Sequence, residues 1–220
     1  WFVYIETMPM YYNQANNTRW LFIKKSLNGS IQTPEANILF LGESRVNAAV
    51  DFNQIPGSYS FASGGSSPIE MYYILKKYTD YYENPDTVFL SISPRFLSEV
   101  FAFYPYAVRN NLFSFADIKE ITKELNKTDT TLGKHPIFRF ALYKFNYIKY
   151  YQSDVMQNNV FGAKKENDRL INEMKGLKGG RVHPGLQDSC SDLNYETHYS
   201  HFLAAPILDT YLYKICTLCK

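Results

Sequence analysis

Ser44 stands directly after an apolar run, residues 38–41, that stops at Gly42 and Glu43. A serine hydroxyl is a weak nucleophile at its free pKa. It reacts when a base, usually a histidine oriented by a carboxylate, takes its proton and when N–H groups face the oxygen on which charge develops. Such donors are available in "FASGGSSP", residues 61–68, where Gly64 and Gly65 let backbone amides approach a ligand with no side chain between. The same residues also serve as the turns that strand-to-helix units need, and spacing alone leaves both readings open. Histidines occur at 135, 183, 198 and 201, and in "NYETHYSH" Glu196 lies two residues before His198. Glu196, His198 and His201 would make part of a metal site, but nothing else completes it, and no metal or cofactor is expected.

Two further patterns carry less. Cys216-x-x-Cys219 has redox or zinc spacing, yet a redox pair normally opens a helix, and this one falls near the end of one. The partner cysteines of a zinc site are missing, so the expectation is packing on a helix face. "SGGSSP" ahead of a helix would suit a phosphate, but the Lys and Thr of a P-loop do not follow, which argues against nucleotide binding.

Strands and helices must position these groups. "NILFLG", 37–42, is short, wholly apolar and bounded by turn residues, the mark of a strand covered on both faces in a parallel sheet. Further strands are predicted over 57–62 and 87–93. Between them Ser67, Pro68 and Glu70 form a helix start with a capping box, and the helix is expected to run over 68–82. Strand, helix, strand makes a right-handed parallel crossover, so the fold class is α/β. "RWLFIKKSL" reads as a helix ending at Asn28 and Gly29. From Arg95 to about Gly176 helical spacing takes over, with Ile118, Ile121 and Leu125 on one face and Phe138, Leu142, Phe145 and Ile148 on another. A last helix begins at Pro206, its apolar face expected to hold Leu208, Leu212, Ile215 and Cys219.

Composition narrows the partners. Lys and Arg number 23 against 21 Asp and Glu, a net charge of +2 that provides no electrostatic reason for nucleic acid. Nineteen Tyr and sixteen Phe favour amphipathic elements with wet phenol tips over sugar-facing surfaces. No run of eighteen apolar residues occurs. The aromatic start "WFVYIETMPMYY" fits the outer edge of a removed membrane anchor or leader equally with an arbitrary boundary.

"ILFLGESRV", "YSFASGGSSPIEMYYILKKY" and "TVFLSISPRFL" together resemble the first three blocks of the SGNH (GDSL-like) hydrolases, in particular bacterial envelope-associated members similar to polysaccharide O-acetyltransferases. The resemblance covers residues 37–97. It implies a flavodoxin-like three-layer parallel sheet with Ser44 as nucleophile. It also implies an oxyanion hole from the amides of Ser44 and of the turn holding Ala62, Gly64 and Gly65. Gly-Asp-Ser is replaced here by Gly42, Glu43 and Ser44, and the third-block Asn is absent, with Ser93 or Arg95 as possible substitutes. The Asp-x-x-His of the fourth block is missing; Glu196 and His198 resemble the Asp-x-His pair of some alginate acetylation proteins, but precede the last helix. That helix should deliver the chain into another strand, so the expectation is a domain truncated at Lys220 with its His and Asp beyond.

The expected organisation is a helical lead-in (1–36), the first half of the core (37–97), a helical insertion and loop (98–204) and a return helix (205–220). The implied activity is that of a serine esterase or O-acyltransferase at the bacterial cell envelope. Its partners would be an acyl donor or acylated glycan and a membrane acyltransferase, and Tyr104 and Tyr106 would face sugar or the core. The alternatives are a non-catalytic SGNH-fold binding or assembly protein of the envelope and a CxxC redox protein.

Overall fold

The computed structural model describes residues 15–98, 107–108, 111–128, 160–180 and 204–219. In chain order the elements are α1 (Ala15–Leu27), β1 (Ile38–Gly42), α2 (Ser44–Ala49), β2 (Ser58–Ser60), α3 (Pro68–Thr79), β3 (Thr87–Ser91), α4 (Pro94–Ser98), α5 (Phe115–Thr128), α6 (Val160–Gly176) and α7 (Pro206–Leu218). The three strands form one parallel sheet in the order β2-β1-β3. The chain is therefore α/β, and the arrangement is compatible with the flavodoxin-like class.

β1 is central because its residues are apolar on both faces. Leu39 and Leu41 enter the main core, which α1, α3, α5, α6 and α7 share; Phe40 points the other way, into a smaller cluster with Val46, Phe52 and Ala62. Full burial of each leucine is worth roughly 1.5–3 kcal/mol. β3 is different: Phe89 is 51% and Leu90 37% exposed, and among the described residues no strand pairs with its outer edge. Phe89 still stacks on Phe40, its partner in the register, with ring centroids 4.9 Å apart.

Local signals account for the helix ends. Ser67 and Glu70 make the expected capping box, with Pro68 opening α3. α1 starts earlier than its apolar run suggests and stops before Gly29, which takes φ +73 while the Ile31 amide reaches back to the Lys25 carbonyl at 2.9 Å. α3 ends at Thr79, three residues short of expectation, and β2 and β3 are shorter than predicted at their carboxyl ends. Beyond β2 the chain stays beside β1, since the Phe61 amide donates to the Phe40 carbonyl at 2.9 Å.

α5 buries Ile118, Ile121 and Leu125 as its spacing requires. The α7 face is rotated from the expected one: Ile207, Leu208, Tyr211 and Ile215 are buried, whereas Cys219 is exposed. Tyr59, Tyr73, Tyr78 and Tyr211 are also buried, so these phenols belong to the core rather than to wet tips. The predicted face of Phe138, Leu142, Phe145 and Ile148, together with Tyr104 and Tyr106, lies outside the described residues. No described helix is long and apolar enough to cross a membrane.

The open side of β2 is closed by the turn that follows α6. The Ser60 amide donates to the Lys178 carbonyl at 2.9 Å, and Gly179, at φ +80, packs so tightly that any Cβ would collide with the Ser60 carbonyl. Arg19 of α1 ties the same edge together. Its buried guanidinium donates from Nε to the Ala62 carbonyl at 2.7 Å, from Nη2 to the Ser60 carbonyl at 3.0 Å and from Nη1 to the Gly179 carbonyl.

Candidate active site

The carboxyl ends of the strands are where an open parallel sheet places its ligands. Gly42 closes β1 with φ +146, a conformation that L side chains rarely adopt, and a Cβ there would strike the Ser91 carbonyl of β3. Glycine thus lets β1 end hard against its neighbour. The Glu43 amide continues the pairing, donating to the Ser91 carbonyl at 3.1 Å, and Ser44 then opens α2 in a half-buried position. Glu43 is only 4% exposed, and its carboxylate lies 3.7 Å from the Arg45 guanidinium.

The second block meets the end of β1 at Gly42. The Ser63 amide donates to the Gly42 carbonyl at 2.8 Å, two residues before Ser44. From there the chain turns, the Ser66 amide bonding back to the Ser63 carbonyl at 3.1 Å with Gly65 at φ +68, a positive φ of the kind that a type II turn requires at its third residue. The Ala62 amide is already engaged by the Ser60 hydroxyl at 3.2 Å. Of the expected donors, this leaves the amides of Gly64 and Gly65, which donate to no described residue, and that of Ser44 in the first turn of α2, where amides have no partner within the helix.

Just after the third strand Ser93 is buried, and its hydroxyl has no partner among the described residues; the hydroxyls of Ser63 and Ser66 are in the same condition. An unsatisfied buried hydroxyl costs about 1–3 kcal/mol and calls for an explanation. Arg95 lies in α4, with its side chain outside the described residues. Glu196 and all four histidines also lie outside them. Among the described residues no group of three or more His, Cys, Asp or Glu is placed to hold a metal ion.

The helix start at "SGGSSP" is not open to phosphate. Glu70 accepts from the Ser67 amide at 2.9 Å and from the Ser67 hydroxyl, while the Ser67 Oγ accepts from the Ile69 amide at 3.3 Å. A side-chain carboxyl already holds the anion position. Burial pushes that carboxyl up to about 7, against the lowering effect of the Ser67 bonds.

Cys216 and Cys219 are both exposed free thiols, which overturns the expectation that they pack on the helix face. Partial burial, with Cys216 nearby, raises the Cys219 thiol. Reactive cysteines have the opposite shift, so the direction at Cys219 does not favour a redox role.

Asn47 and Arg19 carried no recognised signal. Asn47 sits one turn after Ser44, on the same helix face, and is buried. Its Nδ2 donates to the Ala62 carbonyl and its Oδ1 accepts from the Ser60 hydroxyl, each at 2.8 Å. The clue available in the sequence was an amide three residues after a candidate nucleophile, and for Arg19 a single charge inside "TRWLF".

Compared with protein-family models, with curated proteins and with solved structures, the chain matches none. The likeness to SGNH hydrolases accordingly rests on the three sequence blocks.

Proposed function

We propose that the chain carries the nucleophile and oxyanion donors of an SGNH-like serine esterase or O-acyltransferase acting on an acylated glycan of the bacterial cell envelope. One observation carries the reading: the bond from the Ser63 amide to the Gly42 carbonyl, which brings the Gly64 and Gly65 amides to the strand end that bears Ser44. In the reaction Ser44 Oγ attacks the acyl carbonyl carbon and gives its proton to a base. The oxyanion is held by the amides of Ser44 and of the turn at Gly64 and Gly65. The Ser93 hydroxyl, which has no partner among the described residues, serves as a further donor in place of the absent third-block Asn.

Collapse of the tetrahedral intermediate expels the leaving alcohol, which takes up the proton held by the base, and leaves acyl-Ser44. Water then makes an esterase; a glycan hydroxyl makes a transferase, with acyl groups supplied by a membrane acyltransferase. The base is a histidine outside the described residues, for which His198 with Glu196 is the candidate in this sequence. The envelope location and the acylated glycan come from the resemblance alone.

A fluorophosphonate reagent tests the nucleophile. Wild type should become covalently labelled through displacement of fluoride by Ser44 Oγ, and Ser44→Ala should not. Equal labelling of the two removes the reading. The altered third block favours a second reading, in which the chain keeps the fold for binding or assembly at the envelope. Absence of labelling in wild type, with glycan binding retained, would support it.

A further inference from the structure

We infer that Asn47 is a positioning residue that sets the oxyanion turn at Gly64 and Gly65 in place relative to Ser44; the inference rests on the reading of Ser44 as nucleophile. The peptide joining Ala62 to Ser63 immediately precedes the one that carries the Gly64 amide, and it is clamped at both ends. Its N–H is held by the Gly42 carbonyl at 2.8 Å. Its C=O accepts from Asn47 Nδ2 at 2.8 Å and from Arg19 Nε at 2.7 Å. Gly42 precedes Ser44 by two residues and Asn47 follows it by three, so the nucleophile segment grips this peptide plane from either side.

The amide of Asn47 closes a small ring. Its Oδ1 accepts from the Ser60 hydroxyl, whose oxygen accepts from the Ala62 amide at 3.2 Å. Packing alone does not call for such a residue, because Val46 already anchors α2 to the Phe40, Phe52 and Ala62 cluster. α2 is six residues long and its N-cap, Glu43, makes no side-chain capping bond. A helix that short has little stability of its own, and its rotation relative to the turn depends on side-chain bonds of this kind. The orientation of the peptide before Gly64 determines where the next amides point, and an oxyanion hole tolerates little misplacement.

The full chain is treated with a fluorophosphonate, and the labelling rate at saturating probe is measured apart from the half-saturating concentration for wild type, Ser44→Ala, Asn47→Ala and Ser60→Ala. Asn47→Ala should label about 100-fold more slowly at saturation, with the half-saturating concentration unchanged, because the probe still binds but its phosphoryl oxygen misses the donors. Ser60→Ala removes the other Asn47 bond and the acceptor of the Ala62 amide while leaving the Ala62 carbonyl held by Asn47 and Arg19, and should label close to the wild-type rate. Wild-type labelling of Asn47→Ala overturns the inference; so does an equal slowing by Ser60→Ala, since the rate would then follow lost stability. Labelling that does not depend on Ser44 removes the nucleophile reading and this inference together, a result distinct from Ser44-dependent labelling that ignores Asn47. Should Asn47→Ala not fold, Asn47→Asp replaces it with the same two outcomes, because it keeps the acceptor for Ser60 and sets a carboxylate oxygen where the donor to Ala62 stood.

Discussion

Arg19 Nε donates to the Ala62 carbonyl at 2.7 Å across 43 residues of sequence, from a helix that precedes the sheet to the loop that leaves its edge strand. The same guanidinium reaches the carbonyls of Ser60 and Gly179, so one buried side chain joins α1, β2 and the turn after α6.

Replacing Arg19 by Met keeps much of the volume and takes its donors from the Ser60 and Gly179 carbonyls, while Ala62 keeps Asn47. The loss should be about 3 kcal/mol of unfolding free energy, read from the urea midpoint at constant slope. Arg19→Lys should recover little of it, because one ammonium does not span three acceptors.

Gly42→Ala places a methyl group against the Ser91 carbonyl at a φ that alanine rarely takes. A destabilisation of about 3 kcal/mol or more is expected from thermal unfolding. Gly29→Ala also has a positive φ but open space around its Cβ, and should cost about 1 kcal/mol.

Leu41 and Leu90 are partners in the β1–β3 register, yet one is wholly buried and the other 37% exposed. Leu41→Ala should therefore cost about 2–5 kcal/mol and Leu90→Ala about 1 kcal/mol, measured by urea denaturation. Similar losses at both sites would contradict an uncovered β3.

Glu70 makes stability depend on pH. Its folded carboxyl titrates at about 7 and its ordinary value is 4.5, so the native state favours the protonated form. Its contribution is full below about 4.5 and is lost as pH rises through about 7, a change on the order of 3 kcal/mol. Glu70→Gln removes this titration. The stability difference, wild type minus variant, should fall across that window and stay level above it.

Much of the frame was legible from the sequence because it is written in neighbouring residues. The apolar run of β1, the Ser67 and Glu70 capping box and the Ile118, Ile121, Leu125 face of α5 each express a period or a cap within one element. Cys219 falls at the same helical spacing as the buried α7 residues but lies outside the core, since periodicity names a face without saying how far the neighbouring helices extend along it. The exposure of β3 depends on which strands pair beside it, and no local pattern encodes that.

At the candidate site the sequence by itself determined the parts: a glycine and serine after a buried strand, and a glycine pair ahead of a capped helix. Tertiary structure alone decided their use. The parallel register lays Ser63 beside Gly42, the Ser60 hydroxyl takes the Ala62 amide out of the donor set, and Asn47 and Arg19 converge on one carbonyl. These bonds join residues 15 to 43 positions apart, or neighbours whose bonding depends on the backbone path, and so exist only once the sheet has formed.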